Sequence, residues 1–285
     1  MTGSPPQRTP LSVLILTLNE ETNVAQCLKS LAGWAEEIWV LDSFSTDRTL
    51  EIVRSYPAVK LRQRKFDDYA SHSNWALENL PFSHEWVLFL DADEVPSEEL
   101  KREIARILEL GGNGHDGFYL NRRVYFLGRW IRHCGWYPNW VLRLFRHRLG
   151  RYENRKVNQH LILQGKAGYL KEDLIHDDHR GLSAWITRHN QYSSWEAEER
   201  GALLKQGKNS GFPAKFWGGP IERKRFLKEK IFLRLPFKPV FFFFYLYGIR
   251  LGFLDGWAGF HLCLLQSIQE YHIYLKTREL RPRRN

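Results

Sequence analysis

Two aspartates one residue apart, Asp91 and Asp93, follow directly on the apolar run Glu85–Leu90 (EWVLFL). Carboxylates so spaced at the end of a buried strand can jointly address a hard divalent cation, Mg2+ or Mn2+. Such a cation takes oxygen ligands and shares them with substrate phosphates. Held there, it neutralises a diphosphate leaving group. A bare Asp-x-Asp is common by chance, and an acidic helix start at Pro96, Glu98 and Glu99 is the plain structural account. The position after the apolar run is what sharpens the reading. Two further polar clusters also follow apolar runs: Thr17-Leu18-Asn19-Glu20 after Leu11–Leu16, and Asp42–Asp47 after Glu37–Leu41. Asp42 could accept from a base N–H or from ribose hydroxyls, whereas Asp47 reads as a helix cap.

These clusters need a scaffold, and the pattern around them supplies one. Leu11–Leu16 reads as a buried parallel strand. Glu21–Leu31 carries Val24, Leu28 and Leu31 at helical spacing, and Glu37–Leu41 is a second strand. Asp47–Tyr56 reads as a helix, Val59–Arg62 as a third strand, Asp68–Asn79 as a helix and Glu85–Leu90 as a fourth strand. Pro96 is expected to open a helix running to Leu110, with acidic residues in its first turn. The alternation argues for an open α/β sheet. Ligands of such sheets bind beyond the carboxyl ends of the strands, where all three clusters fall. No GxGxxG follows the first strand and no GxxxxGK[ST] occurs, which excludes the dinucleotide fingerprint and the P-loop. Gly117–Phe126, Val141–Phe145 and His160–Leu163 are further strand candidates, and Trp185–Leu204 is a helix candidate.

The chain of 285 residues is 43% hydrophobic and 26% charged, enough for one large domain with a smaller appendage. Its three cysteines, Cys27, Cys134 and Cys263, lie too far apart for a CxxC zinc site or a disulfide framework and suit a reducing compartment. Residues 1–10 are polar, Pro-rich and expected to be disordered, without the apolar core of a signal peptide. The net charge of +10 is uneven: residues 1–180 hold 24 basic and 24 acidic residues, residues 181–285 hold 18 and 8. The ten apolar or glycine residues Val240–Ile249 fall short of the roughly 20 a spanning helix needs. The expectation is a body at 11–180 and a basic, aromatic helical region at 181–285. That region would lie in a membrane interface, its Lys and Arg against anionic lipids and its Phe and Trp inserted. Packing of the Phe run on the body is the alternative, and self-association fits either. Nucleic acid is not expected as a partner, since no recognition motif accompanies the basic stretch.

The motifs LSVLILTLNEETNVAQCLKSL, WVLDSFSTDRT and the DAD, in that order, resemble family 2 glycosyltransferases of the GT-A fold. DDYASHSNWAL before the DAD and GWYPNWVLRLF after it resemble bacterial enzymes that glycosylate lipopolysaccharide core or other lipid-linked glycans. The resemblance covers residues 11–200. It implies a Rossmann-like mixed sheet and an inverting transfer from a nucleotide-diphospho-sugar, most often a UDP-sugar. It also implies that Thr17, Leu18, Asn19, Glu20 and Asp42 hold the nucleotide. Asp91, Ala92 and Asp93 would meet metal and diphosphate, and His176 would be a further metal ligand. Arg64 and Asn74 would support the donor. Trp136, Tyr137 and Arg143 are expected on the acceptor side, where flat aromatic faces suit sugar rings.

Inverting transfer needs a base for the acceptor hydroxyl. Related sequences carry Glu where this chain has Gln159, and an amide cannot serve. Three readings stand: a substitution that traps a substrate complex, a base elsewhere at Asp173, Asp177 or Asp178, or a naturally weak or misaligned site. Two rivals remain. A nucleotidyltransferase would carry a Gly-rich phosphate loop after the first strand, which Thr17–Glu21 is not. A silent GT-A sugar- or lipid-binding module draws on Gln159 alone. The expected location is the cytoplasmic face of a bacterial inner membrane, with a lipid-linked saccharide as acceptor.

Overall fold

The computed structural model describes residues 8–153, 160–206 and 238–280. Gln159 and the basic stretch 207–237 lie outside the described residues. The chain divides into two compact units, residues 1–181 and 182–285.

The first unit is built on a mixed sheet flanked by helices. Its strands are β1 (Thr9–Thr17), β2 (Ala35–Asp42), β3 (Val59–Gln63), β4 (Trp86–Asp91), β5 (Glu94–Pro96), β6 (Gly117–Phe126), β7 (Arg129–Trp130), β8 (Trp140–Arg146) and β11 (Ala167–His176). The order is β3-β2-β1-β4-β8-β6-β11-β5, with β7 paired to β6. The pairs β1–β2, β2–β3, β1–β4 and β6–β11 are parallel, while β8 runs antiparallel to β4 and β6, and β5 antiparallel to β11. A separate ribbon joins β9 (Gly150–Tyr152) to β10 (Leu161–Leu163).

Strand periodicity explains why β1 is apolar throughout: alternate side chains enter opposite faces. Leu11, Val13 and Ile15 pack with helix α1 (Val24–Leu31) and helix α4 (Glu98–Glu109) on one face. Leu14 packs with Leu41, Val87, Phe89 and helix α3 (Tyr69–Asn79) on the other. Helix α2 (Thr49–Arg54) leads into β3. Helix α4 starts later than Pro96 predicts. Pro96 closes β5, and Ser97 caps the helix by accepting from the Leu100 N–H, with Glu98 and Glu99 in the first turn. Strand β1 likewise begins at Thr9, which pairs with Ala35, so residues 9 and 10 are ordered sheet.

The second unit contains α5 (Gly181–Gln206), α6 (Lys238–Phe244) and α7 (Gly256–Glu279). Between the last two the chain makes a π turn, Tyr245–Ile249, and a 3-10 turn, Gly252–Asp255. A Cβ at Gly259 would sit 2.2 Å from the Gly252 carbonyl oxygen, so α7 can close on that turn only without a side chain there. Glu270 of α7 accepts from Arg200 of α5 and, at 2.6 Å, from Lys238 of α6. Among the described residues no helix is long and apolar enough to cross a membrane.

Candidate active site

The parallel register sets the site. Thr17 of β1 stands opposite Asp42 of β2, and Leu16 opposite Asp91 of β4, so three strands end together. Strand β11 arrives from the other half of the sheet, with His176 opposite Glu94. This brings Glu20, Asp93, His176, Asp177, Asp178 and Arg180 to one edge.

Asp93 is buried, and its Oδ2 lies 3.3 Å from His176 Nε2 and 3.6 Å from Arg180 Nη2. Burial pushes the Asp93 carboxyl up, but His176 and Arg180 outweigh it and hold it at about 2. Burial pushes the imidazole down, and Asp93 reverses that, leaving His176 raised. Asp178 accepts from Arg180 Nε at 2.8 Å, Arg180 Nη2 at 3.0 Å and Asn23 Nδ2 at 3.1 Å. Burial would raise its carboxyl, but Arg180 keeps it low. Glu20 accepts from Arg180 Nη1 at 2.5 Å and from Asn23 Nδ2 at 2.8 Å. Burial still dominates there and pushes it up to about 7. Asp177 faces His179 at 3.8 Å and remains partly open to solvent.

Asp91 is engaged differently. Its two oxygens accept from Tyr69 Oη at 3.3 Å and from Arg143 Nη2. The same Arg143 nitrogen donates at 3.0 Å to Glu94, which is fully buried and whose Oε2 also accepts the Asp91 backbone N–H at 3.0 Å. Arg143 therefore lies beneath the Asp-Ala-Asp turn, itself only 5% exposed and stacked over Phe89. This differs from its expected acceptor-side place: its guanidinium lies between half-buried Asp91 and buried Glu94, where it supports the turn.

Asp42 is also closed in. Its Oδ1 accepts from Thr17 Oγ1 at 3.0 Å and Ser45 Oγ at 2.5 Å, and its Oδ2 from Ser45 N–H at 3.0 Å and Gln63 Nε2 at 3.1 Å. A nucleotide reaching Asp42 must replace one of these donors. The loops around it clasp one another. Asn19, at φ +57°, donates its N–H to Ser45 Oγ and accepts the Thr46 N–H at 2.8 Å, while Leu18 is exposed. Asp47 accepts from Thr49 N–H at 2.9 Å, but the N-cap position of α2 falls on Arg48, one residue after the expected cap. Arg64 pairs with Asp67 at 2.7 Å and reaches buried His72 Nδ1 at 2.9 Å. Asn74 ties α3 to β9, exchanging two hydrogen bonds with the Tyr152 backbone, so the protein accounts for its amide. Tyr137 donates to Asp173 at 3.2 Å and meets Trp130 edge-on, and Trp136 precedes it in the same loop. Asp173 also accepts from Asn121 at 2.9 Å and is bound by Arg123, so as a base it would first have to shed these partners.

Among the described residues no three His, Cys, Asp or Glu side chains are grouped as a ready metal cage. The chemistry of the donor set nevertheless fits a hard cation shared with substrate. Asp93 offers a carboxylate oxygen and His176 an imidazole nitrogen side by side, and Mg2+ commonly takes one or two carboxylates plus substrate phosphates. Buried Ala92 lets the chain pass between the two aspartates and lines a narrow cleft with Asn23, Gln26, Asp93 and Asp177. A larger cleft of about 540 Å³, lined by His147, Arg148 and Arg151, opens near the amino end of β4, away from these strand ends.

Sequence reasoning missed Arg180, Glu94, Asn23 and Tyr69. Arg180 stands two residues after Asp178, and Glu94 directly follows the DAD, so proximity in sequence was the available signal.

The open mixed sheet flanked by helices is shared with solved GT-A glycosyltransferases. The mannosyltransferase PcManGT from Pyrobaculum calidifontis, in complex with GDP-Man and Mn2+, superposes with a TM-score of 0.55 at 17% identity, covering 96% of this chain and 88% of that one. TarS 1–349 of S. aureus, in complex with UDP-GlcNAc, gives 0.50 at 14% identity over 96% and 93%. The chain belongs to glycosyl transferase family 2, whose profile matches residues 12–176. It is 31% identical over 240 residues to the lipopolysaccharide core biosynthesis glycosyltransferase LpsC of Rhizobium meliloti, covering 80% of this chain and 81% of that one. An uncharacterized glycosyltransferase of Rickettsia conorii is 27% identical over 94% of this chain and 90% of its own. The chain is accordingly a glycosyltransferase, and the nucleotidyltransferase rival gives way.

Proposed function

We propose that this glycosyltransferase moves a sugar, with inversion, from a UDP-sugar to a hydroxyl of a lipopolysaccharide-core or other lipid-linked saccharide. The observation that carries the reading is the convergence of Glu20, Asp93, His176 and Arg180 at the carboxyl ends of β1, β4 and β11. The name of the LpsC relative supports the acceptor class. The nucleotide sugars of the two structural neighbours support the donor class, UDP in one and GDP in the other. Asp93 and His176 would hold Mn2+ or Mg2+, which when bound offsets the charge that develops on the leaving diphosphate. Arg143 and Glu94 keep Asp91 and the turn in place. Thr17, Asn19 and Asp42 shape the nucleotide side. The acceptor oxygen attacks the anomeric carbon as a base removes its proton, and the bond to the nucleoside diphosphate breaks.

The base is assigned to position 159, where Gln159 stands in for a carboxylate. Of the nearby alternatives, Asp173 and Asp178 are held by arginine, which leaves Asp177. The basic, aromatic second unit is proposed to rest on anionic lipid at the cytoplasmic face of a bacterial inner membrane. UDP release from a panel of UDP-sugars, with Mn2+ and lipid extract, tests the assignment. Gln159→Glu is expected to raise turnover by about 10²–10⁴-fold. Equal turnover by both forms, abolished by Asp177→Asn, moves the base to Asp177.

A further inference from the structure

Arg180 lies among three carboxylates that leave three different strands. Its Nη1 donates to Glu20, beyond β1, at 2.5 Å; its Nε and Nη2 donate to Asp178, beyond β11, at 2.8 and 3.0 Å; and Nη2 comes within 3.6 Å of Asp93, beyond β4. The site thus holds a positive charge against the carboxylate that the reading above gives to the metal. The contacts are unequal. Asp178 is gripped by a two-nitrogen fork and also accepts the Arg180 backbone N–H at 3.1 Å. Glu20 is held through one guanidinium N–H and keeps Asn23 as a second donor. Glu20 is therefore the partner that can be released while Asp178 keeps the side chain anchored.

We propose that Arg180 makes divalent cation and donor diphosphate binding interdependent. A lone cation approaching Asp93 is repelled by the guanidinium at close range, where a partly buried setting screens little. A lone diphosphate is repelled by Asp93, Asp177 and Asp178. When cation and diphosphate arrive together, the guanidinium exchanges Glu20 for a phosphate oxygen, and the charges alternate in sign. A planar guanidinium suits this exchange because its N–H groups fit carboxylate and phosphate alike. The inference rests on the nucleotide-diphosphate reading and adds an order to it: neither component is retained well without the other.

Isothermal titration of the full chain separates the possibilities, using Mn2+ alone, UDP or GDP alone, and each nucleotide with Mn2+. In the unsubstituted protein Mn2+ is expected to tighten nucleotide binding by at least about tenfold. In Arg180→Gln, Mn2+ alone should bind several-fold more tightly, while nucleotide with Mn2+ binds at least about tenfold more weakly, so that coupling collapses. Arg180→Lys, which keeps the charge and loses the fork, should retain part of the coupling. Circular dichroism melting establishes that each variant is folded. Coupling unchanged in folded Arg180→Gln overturns the proposal and leaves the donor reading standing. Parallel weakening of Mn2+ alone and nucleotide alone also overturns it, because it marks a residue that merely holds the loops. If the unsubstituted protein binds neither nucleotide with Mn2+, both the donor reading and the proposal fall.

Discussion

Arg143 illustrates how a single buried cation can decide whether the Asp-Ala-Asp turn keeps its form. It joins Asp91 and Glu94 through one nitrogen and reaches Tyr69 Oη with the other at 3.3 Å. Burial pushes the Glu94 carboxyl up, and Arg143 pulls it back without fully offsetting the effect. Removing the guanidinium strands that carboxylate with only Arg122, at 3.5 Å, as its remaining cationic contact among the described residues. Breaking one side of a buried ion pair typically costs about 3–5 kcal/mol. Arg143→Met is expected to lose that much, read as a fall in the urea midpoint. The double variant Arg143→Met, Glu94→Gln should recover much of the stability, because no buried charge is left alone. It should not recover nucleotide binding, since Asp91 still lacks its brace. A single variant as stable as the parent would remove Arg143 from the support of the turn.

Among the elements, β1 to β4 are joined by side chains as well as by backbone. Glu37 of β2 is buried and accepts from Ser12 of β1, from Lys60 of β3 at 2.6 Å, and from the Ser83 N–H and hydroxyl at 2.8 Å. Burial alone would raise this carboxyl; the four donors bring it to about 2, against 4.5 for a free glutamate. A carboxyl lowered on folding contributes in full above its unfolded value and is lost as pH falls through the folded one. Stability should therefore fall between about pH 4.5 and 2, with a Glu37 share of about 1–2 kcal/mol, since Lys60 is half exposed. Glu37→Gln should be less stable at pH 7 and lose this part of the acid limb in chemical denaturation from pH 7 to 2. The sheet's first half was legible because its strands are short apolar runs alternating with helices. Strand β11 was not, because Lys171-Glu172-Asp173 interrupts it and its register slips between Tyr169 and Asp173. Asp173, a candidate base in sequence, proves to be a buried partner of Arg123. The pairs of residues at the three polar clusters were visible from the run-then-acid pattern. Arg180 and Glu94 were not, because their roles depend on partners 160 and 49 positions away.

At the scale of the molecule, the charge asymmetry and the second unit's exposed surface argue in one direction. Between Pro239 and Leu265 the charged residues are Arg250 and Asp255, and Asp255 is buried. The same stretch exposes Ile249 at 74%, Trp257 at 65% and Phe244 at 63%, with Phe253 and Leu254 beside the turn. Just before it, residues 205–238 hold ten Lys or Arg and two acidic residues. Apolar side chains on a turn, next in sequence to concentrated positive charge, are the features on which the proposed contact with anionic lipid rests. The expected behaviour is sedimentation with phosphatidylglycerol-containing vesicles, weakening as salt rises, and little binding to purely zwitterionic ones. Ile249→Glu combined with Trp257→Glu should abolish sedimentation while leaving Mn2+-dependent nucleotide binding intact, because both substitutions lie on exposed positions of the second unit. If the double variant sediments like the parent, the turn is not what enters the lipid. If the parent ignores anionic vesicles and instead self-associates, with the double variant monomeric in analytical ultracentrifugation, the apolar surface belongs to a second copy of the chain and the membrane assignment fails.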